Sequence, residues 1–285
     1  MGLEVFLVEN KLIITIVMYQ TEFSQTPSYD YLKRIMTGKK SAYLLVYDNS
    51  KKAQEDELFC RENVRYIHDE TNPGLAEAYN AGSQYLQELQ GDLLLLLDQD
   101  TLIDEAYLET LLGLELVEEI GAYVPIISSH GRQISPVFSD RYVGGKSELP
   151  ESGVYSQRIM SINSGTAIPQ KTIQSIGQFS LDFPLDFLDH WLFWRIHQLG
   201  KKVYVLDHHL AHDLSVLDYR TIDSKRYDSI IQGETLFYQK YDQDKFYTHR
   251  RHLLLRTLKQ FLRVKNRKIW RRTFLEYRSL LMKGK

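Results

Sequence analysis

Two aspartates two residues apart, Asp98 and Asp100, close a run of five leucines, Leu93 to Leu97. Five consecutive leucines read as a central strand buried on both faces. Acids at the carboxyl end of such a strand lie where open α/β sheets bind ligands. Held rigidly there, paired carboxylates form a hard-oxygen site for Mg2+ or Mn2+. Unheld, they are a turn carrying two solvated acids. Asp48, in Val46-Tyr47-Asp48-Asn49-Ser50, ends another apolar run. Its carboxylate could accept from a base N–H or a ribose hydroxyl, or cap its own turn. His208, His209 and His212 invite a zinc reading. Adjacent histidines on an extended segment point to opposite faces, which argues against it.

The elements that must hold these residues follow from the hydrophobic pattern. Strands are expected at Leu12–Tyr19, Ser41–Tyr47, Val64–His68, Asp92–Leu97, Ala122–Ile127 and Val203–Leu206. Helices are expected at Tyr29–Met36, Leu75–Leu89 and Asp104–Leu116, and from about Arg220 onward. Residues 128–160, rich in Gly, Ser and Pro, read as loops with a short hairpin. The alternation predicts an α/β fold, a mostly parallel sheet flanked by helices. Asp48 and the Asp98/Asp100 pair then share one sheet edge.

Composition is that of a globular protein: 285 residues, 43% hydrophobic and 25% charged. The single cysteine, Cys60, excludes an internal disulfide framework and fits a reducing cytoplasm. No stretch approaches the ~20 apolar residues of a membrane span, and the N-terminus lacks the basic segment of a signal peptide. Gly145-Lys146-Ser147 ends like a phosphate-binding loop, but Asp140 stands where that motif needs its first glycine. The first strand is not followed by GxGxxG.

Several segments occur in an order and spacing that carry a resemblance. They are Met18-Tyr19-Gln20; Val46 to Ser50; Asn72-Pro73-Gly74-Leu75-Ala76 with Asn80; Leu97 to Thr101; Asn163-Ser164-Gly165-Thr166; Asp186-Phe187-Leu188-Asp189-His190-Trp191 with Arg195; and His212-Asp213-Leu214-Ser215. The collinear set, over about residues 12–215, resembles family 2 glycosyltransferases of the GT-A fold, particularly the bacterial rhamnosyltransferase-like branch. The resemblance implies a donor-nucleotide site of Tyr19, Asp48, Asn72, Gly74, Asn80, Asp98 and Gln99. It implies a metal site, for Mn2+ or Mg2+, of Asp98, Asp100 and His212. It makes Asp189 the catalytic base and places Gly165, Thr166, Asp186, His190, Trp191 and Arg195 around the acceptor or transferred sugar. Trp191 stands where many relatives carry an acid, which suits a platform for an acceptor sugar. Gln20 replaces a common asparagine, and the Asp48 turn lacks a common glycine.

Each residue also has a plainer reading. Asn72 could be a helix cap, Asn80 a surface amide, Gly165 a turn glycine, and Asp189 an acid favoured by a helix dipole.

The net charge of −2 hides a division. Arg250 to Lys285 holds thirteen Lys/Arg and one acid, leaving 22 bases against 36 acids elsewhere. At 100° per residue, Leu254, Leu258, Phe261, Leu262 and Ile269 gather on one helix face. Arg256, Lys259, Arg263, Arg267 and Arg271 gather opposite. A basic amphipathic helix suits an anionic membrane surface; alternatively its apolar face packs on the body or on a second subunit. Nucleic acid is disfavoured, because the acidic body repels phosphate.

The expectation is a catalytic GT-A-like domain at 1–219 with a basic helical extension at 220–285. It is an inverting enzyme moving a sugar, L-rhamnose from dTDP-rhamnose, to a lipid-linked or growing cell-surface glycan at the inner face of the plasma membrane. A UDP-hexose donor is the alternative. A sugar-phosphate nucleotidyltransferase, or a non-catalytic nucleotide- or glycan-binding relative, would also use this scaffold.

Overall fold

A computed structural model describes residues 9–129, 131–143, 148–212 and 223–283. Several sequence features therefore lie outside the described residues: Met1 to Val8, Gly145-Lys146-Ser147, Asp213-Leu214-Ser215, Arg220 and the last two residues. Contacts divide the chain into two compact units, Met1–Phe138 with Glu148–Asp213, and Ser139–Ser147 with Leu214–Lys285.

The first unit is built on parallel strands β1 (Leu12–Met18), β2 (Ala42–Asp48), β3 (Val64–His68) and β4 (Leu93–Asp98). They lie in the order β3-β2-β1-β4, and the register sets Met18 beside Asp48 and Val17 beside Asp98. Every residue of β1 is buried, and so are the five leucines of β4, as a sheet covered on both faces requires. α1 (Tyr29–Gly38) and α2 (Leu75–Glu88) make the crossovers. α2 lies so close to β1 that a Cβ on Gly82 would meet Thr15 Oγ1 at 2.2 Å.

Beyond β4 the sheet turns mixed. β5 is a two-residue strand, Thr101–Leu102, and α3 spans Glu105–Leu112. Asp104 caps α3 by accepting from Tyr107 N at 2.8 Å. β6 (Ile120–Ser129) is followed by short strands β7 (Arg132–Ser135), β8 (Val137–Phe138), β9 (Gly153–Tyr155) and β10 (Ile159–Met160) in the stretch expected to be loops with a short hairpin. β11 (Ala167–Pro169) runs antiparallel between β4 and β6. α4 (Gln170–Ile176) and α5 (Leu188–Gln198) lead to β12. That strand runs Lys202–His212, well past Leu206, because its second half pairs with both β6 and β5.

The second unit is helical: α6 (Ser224–Leu236), α7 (Phe246–Arg263) and α8 (Arg267–Lys283). Tyr227, Ile231, Leu253, Ile269 and Leu280 form its core. Within that core Gln260 Nε2 donates to Tyr227 OH (2.8 Å), and Tyr227 OH and Thr273 Oγ1 share a 2.6 Å bond. Thr273 donates in turn to Gln260 Oε1 (2.7 Å), so three buried polar groups satisfy one another. Glu234 is held by the Arg256 guanidinium through two bonds and receives the Tyr142 hydroxyl.

The single helix expected through residue 271 is two helices, broken at 264–266. Projection through that break put Ile269, which is buried in α8, on the same face as Leu254, Leu258, Phe261 and Leu262, which are exposed on α7. His249, Leu253, Thr257 and Gln260 are the buried positions. Among the described residues no helix is long and apolar enough to cross a membrane.

Candidate active site

The Asp98-Gln99-Asp100 turn is fastened from several sides. Asp98 N donates to Ser164 Oγ at 2.8 Å, and that hydroxyl shares a 2.6 Å bond with Thr101 Oγ1. Ser28 Oγ donates to Thr101 O (2.5 Å) and accepts from Ile103 N (2.9 Å). Gln99 Oε1 accepts from Tyr19 N at 2.7 Å, linking the ends of β4 and β1. β5 pairs with β12 so that Thr101 faces His212 across the ladder. His212 therefore ends its strand beside the residue following Asp100; its side chain lies outside the described residues. Ser164 belongs to the Asn163-to-Thr166 segment noted in the sequence, whereas Ser28 is a support that residue types alone miss. A hydroxyl far away in sequence carries no signal until the fold brings it to the turn.

Tyr79, on α2, is fully buried and donates to Asp98 Oδ1 at 3.0 Å. Burial raises its hydroxyl well above the ordinary tyrosine value, and the charges of Asp98, Asp189 and Asp100 add to the rise. Three carboxylates from two distant segments thus act on one phenol, which remains a proton donor.

Asp189 lies in the first turn of α5, where the helix dipole favours an anion. Its Oδ1 accepts from His190 N at 2.8 Å. Phe187, just before the helix, is left-handed at φ 68° and stacks on His190 at 4.4 Å. A bulky residue in that region is strained, as backbone at functional sites often is. Asp186 is partly buried beside it. Trp191 is only 6% exposed, with its ring 6.5 Å from Phe179, which is itself 5.5 Å from Tyr79. The indole is thus part of the packing between α2 and α5. Arg195 lies in the last turn of α5 and reaches Ser175 O of α4 at 3.5 Å.

α2 ties down the approach to this segment. Asn80 clamps the backbone of Phe179, donating to its carbonyl (3.1 Å) and accepting from its N–H (2.7 Å). Leu75 N donates to Pro184 O at 2.6 Å. Gly74 has φ 100°, and a Cβ there would meet that carbonyl at 2.2 Å. Asn80 and Gly74, expected at the nucleotide, are placed here as the links between α2 and the Asp189 segment.

Asp48 is fully buried at the end of β2. Its Oδ1 accepts from Ser50 N (2.9 Å), and its Oδ2 from Gln54 Nε2 (2.9 Å) and Tyr66 OH (2.7 Å). Burial, with the Asp48 bond adding, pushes the Tyr66 hydroxyl up to about 12. Tyr19 is 45% exposed, and Gln20 and Asn72 are both left-handed, at φ 54° and 51°. Gly165 and Thr166 are buried in the turn that leads into β11. A Cβ on Gly165 would meet Pro125 Cγ at 2.9 Å, its carbonyl accepts from Tyr107 OH, and Thr166 Oγ1 donates to Ile162 O at 2.9 Å.

His208 bonds Thr110 Oγ1 at 2.9 Å and meets Tyr107 edge-on, while His209 lies 4.0 Å from Asp207. Among the described residues no three His, Cys, Asp or Glu side chains are arranged to hold a metal ion by themselves. The oxygen donors Asp98 and Asp100 nevertheless suit Mg2+ or Mn2+, which commonly take one or two carboxylates and complete their shell with substrate phosphates and water.

Residues 27–161 match the family described as Glycosyl transferase family 2. The dTDP-rhamnosyl transferase RfbF of Shigella flexneri is 22% identical over 206 residues, which are 66% of each chain. Two solved structures share the fold. One is GalNAc-T7 with UDP, GalNAc and Mn2+, with a TM-score of 0.57 and 12% identity, covering 86% of this chain and 51% of that one. The other is the mannosyltransferase PcManGT of Pyrobaculum calidifontis with GDP-Man and Mn2+, with a TM-score of 0.54 and 13% identity, covering 97% and 79%. The chain thus spans just under two thirds of its rhamnosyltransferase relative and about half of the first of these structures. The family match over residues 27–161, that relative and the shared architecture agree: the chain is similar to family 2 glycosyltransferases and has a GT-A-like fold.

Proposed function

We propose that the chain transfers L-rhamnose from dTDP-rhamnose to a hydroxyl of a lipid-linked or growing cell-surface polysaccharide, with inversion at the anomeric carbon. The observation that supports this reading is that Tyr79, bonded to Asp98 Oδ1 at 3.0 Å, also feels the charges of Asp189 and Asp100. Asp189 takes the proton from the acceptor hydroxyl as that oxygen attacks the anomeric carbon. The bond from that carbon to the diphosphate breaks, and dTDP leaves with the electron pair. A divalent cation held by Asp98 and Asp100 would supply charge neutralisation for the leaving diphosphate. Gln99 and Tyr19 align the turn that receives it. Asp48 stands at the nucleotide end, where a base or ribose reaching it would displace the Gln54 amide. His190 and Asp186 border the sugar.

The choice of donor follows the name of the relative, a dTDP-rhamnosyl transferase. The test is a donor panel with release of nucleoside diphosphate and the anomeric configuration of the product as readouts. Turnover of dTDP-rhamnose with an inverted product supports the reading. Turnover of a UDP-hexose alone would replace the donor. Release of inorganic diphosphate from a nucleoside triphosphate and a sugar phosphate would replace the reaction.

A further inference from the structure

Among the described residues, the helical unit leaves a broad apolar face uncovered. On α7, Tyr247, Leu254, Leu255, Leu258, Phe261 and Leu262 are between 36% and 80% exposed. At 100° per residue they fall within an arc of about 120°, on the side away from buried Leu253, Thr257 and Gln260. The pattern recurs twenty residues later on α8, where Phe274, Leu275, Leu281 and Met282 are 40–64% exposed. Phe261 meets Trp270 edge-on at 5.2 Å, so the face of α7 adjoins α8. Contiguous exposed apolar surface of this kind marks an interaction site.

Charge selects the occupant. Lys259, Arg263, Lys265, Arg267, Lys268 and Arg271 are exposed around these faces. The only acid from Phe246 to Lys283 is Glu276, which Arg272 already engages. A second copy meeting it through the same face would set cations against cations. An anionic lipid surface meets both features, apolar contact below and phosphate at the rim. The stripe from Tyr247 to Leu262 is about 24 Å long and contains Arg251, a geometry for lying along a bilayer surface.

We propose that the Tyr247–Leu262 face of α7, with its repeat on α8, docks onto an anionic lipid bilayer. This does not rest on the transfer chemistry, and its test needs no donor. Vesicles of phosphatidylcholine with one-third phosphatidylglycerol should co-sediment the full chain, phosphatidylcholine alone should not, and salt should release it. Leu258→Asp with Leu262→Asp should weaken partitioning roughly tenfold or more, with an unchanged circular dichroism spectrum and melting temperature. Leu255→Ser with Phe261→Ser is a milder pair for the same readout. Lys259→Gln, Arg263→Gln and Lys268→Gln together should remove the preference for anionic vesicles. Sugar transfer to a soluble acceptor should persist in all three variants. Undiminished partitioning of the folded double variants would overturn the proposal, as would a wild-type chain that ignores both vesicles. A dimer in sedimentation that Leu258→Asp with Leu262→Asp dissociates would also overturn it, by assigning the face to a second copy.

Discussion

The Tyr79 hydroxyl donates to Asp98 Oδ1 at 3.0 Å from a ring with no solvent exposure. A donor fixed inside α2 sets the rotamer of the first acid in the Asp98-Gln99-Asp100 turn. Hydrogen bonds to charged groups contribute about 1.5–3 kcal/mol. Tyr79→Phe keeps the ring and removes the donor. Binding of Mn2+ with dTDP, followed by titration calorimetry, should weaken roughly ten- to a hundredfold. Unchanged affinity would make the tyrosine a packing residue only.

Asn80 offers a separate handle on the other acid. Its amide makes two bonds to the Phe179 backbone, and Asn80→Ala removes both. The cost should be about 1–3 kcal/mol in thermal or urea unfolding. Because the clamped stretch leads to Asp189, kcat should fall more than KM rises. Asn80→Asp retains the acceptor for Phe179 N and should recover part of the loss.

Gly74→Ala confronts two obstacles, a φ of 100° and the Pro184 carbonyl 2.2 Å from the new Cβ. Strain of this type costs of order 1–3 kcal/mol before any clash is relieved. Loss of both melting temperature and activity is expected. A neutral substitution would mean that α2 and the Pro184 loop separate easily.

In the helical unit, burial alone would raise the Glu234 carboxyl, but the Arg256 guanidinium and His249 outweigh it and hold the group well below the usual value of 4.5. A carboxylate depressed in the folded state contributes stability above its unfolded value and loses it as pH falls through the folded one. Wild type should therefore lose melting temperature progressively below pH 4.5. Glu234→Gln should melt lower at neutral pH, with the gap closing as the medium is acidified. Arg256→Met strands a buried anion and should cost about 3–5 kcal/mol at neutral pH. A pH-independent gap for Glu234→Gln would show that its charge is immaterial.

Much of this was legible in the sequence because it is local. Leu93–Leu97 followed by Asp98-Gln99-Asp100 announces a buried strand with acids at its end, and Val64–His68 was bounded to the residue. What escaped depends on long-range pairing. β12 extends to His212 only because β5 and β6 are there to receive it. Ser28 is an ordinary serine until the fold brings it to Thr101. Gly74 and Asn80 were recognised as special, but their partners Pro184 and Phe179 lie a hundred residues away. Trp191 suits an acceptor-sugar platform in sequence, and its packing near Phe179 emerges only in the fold. The break between α7 and α8 is a three-residue event that an angular projection passes over.

The account turns on Asp189 as the group that receives the acceptor proton. The most direct measurement is single-turnover transfer by Asp189→Asn, alongside its binding of donor with Mn2+. Transfer reduced by a factor of about a hundred or more, with donor affinity within a few-fold of wild type, is the expected result. Transfer near the wild-type rate would contradict it and require the proton to go elsewhere.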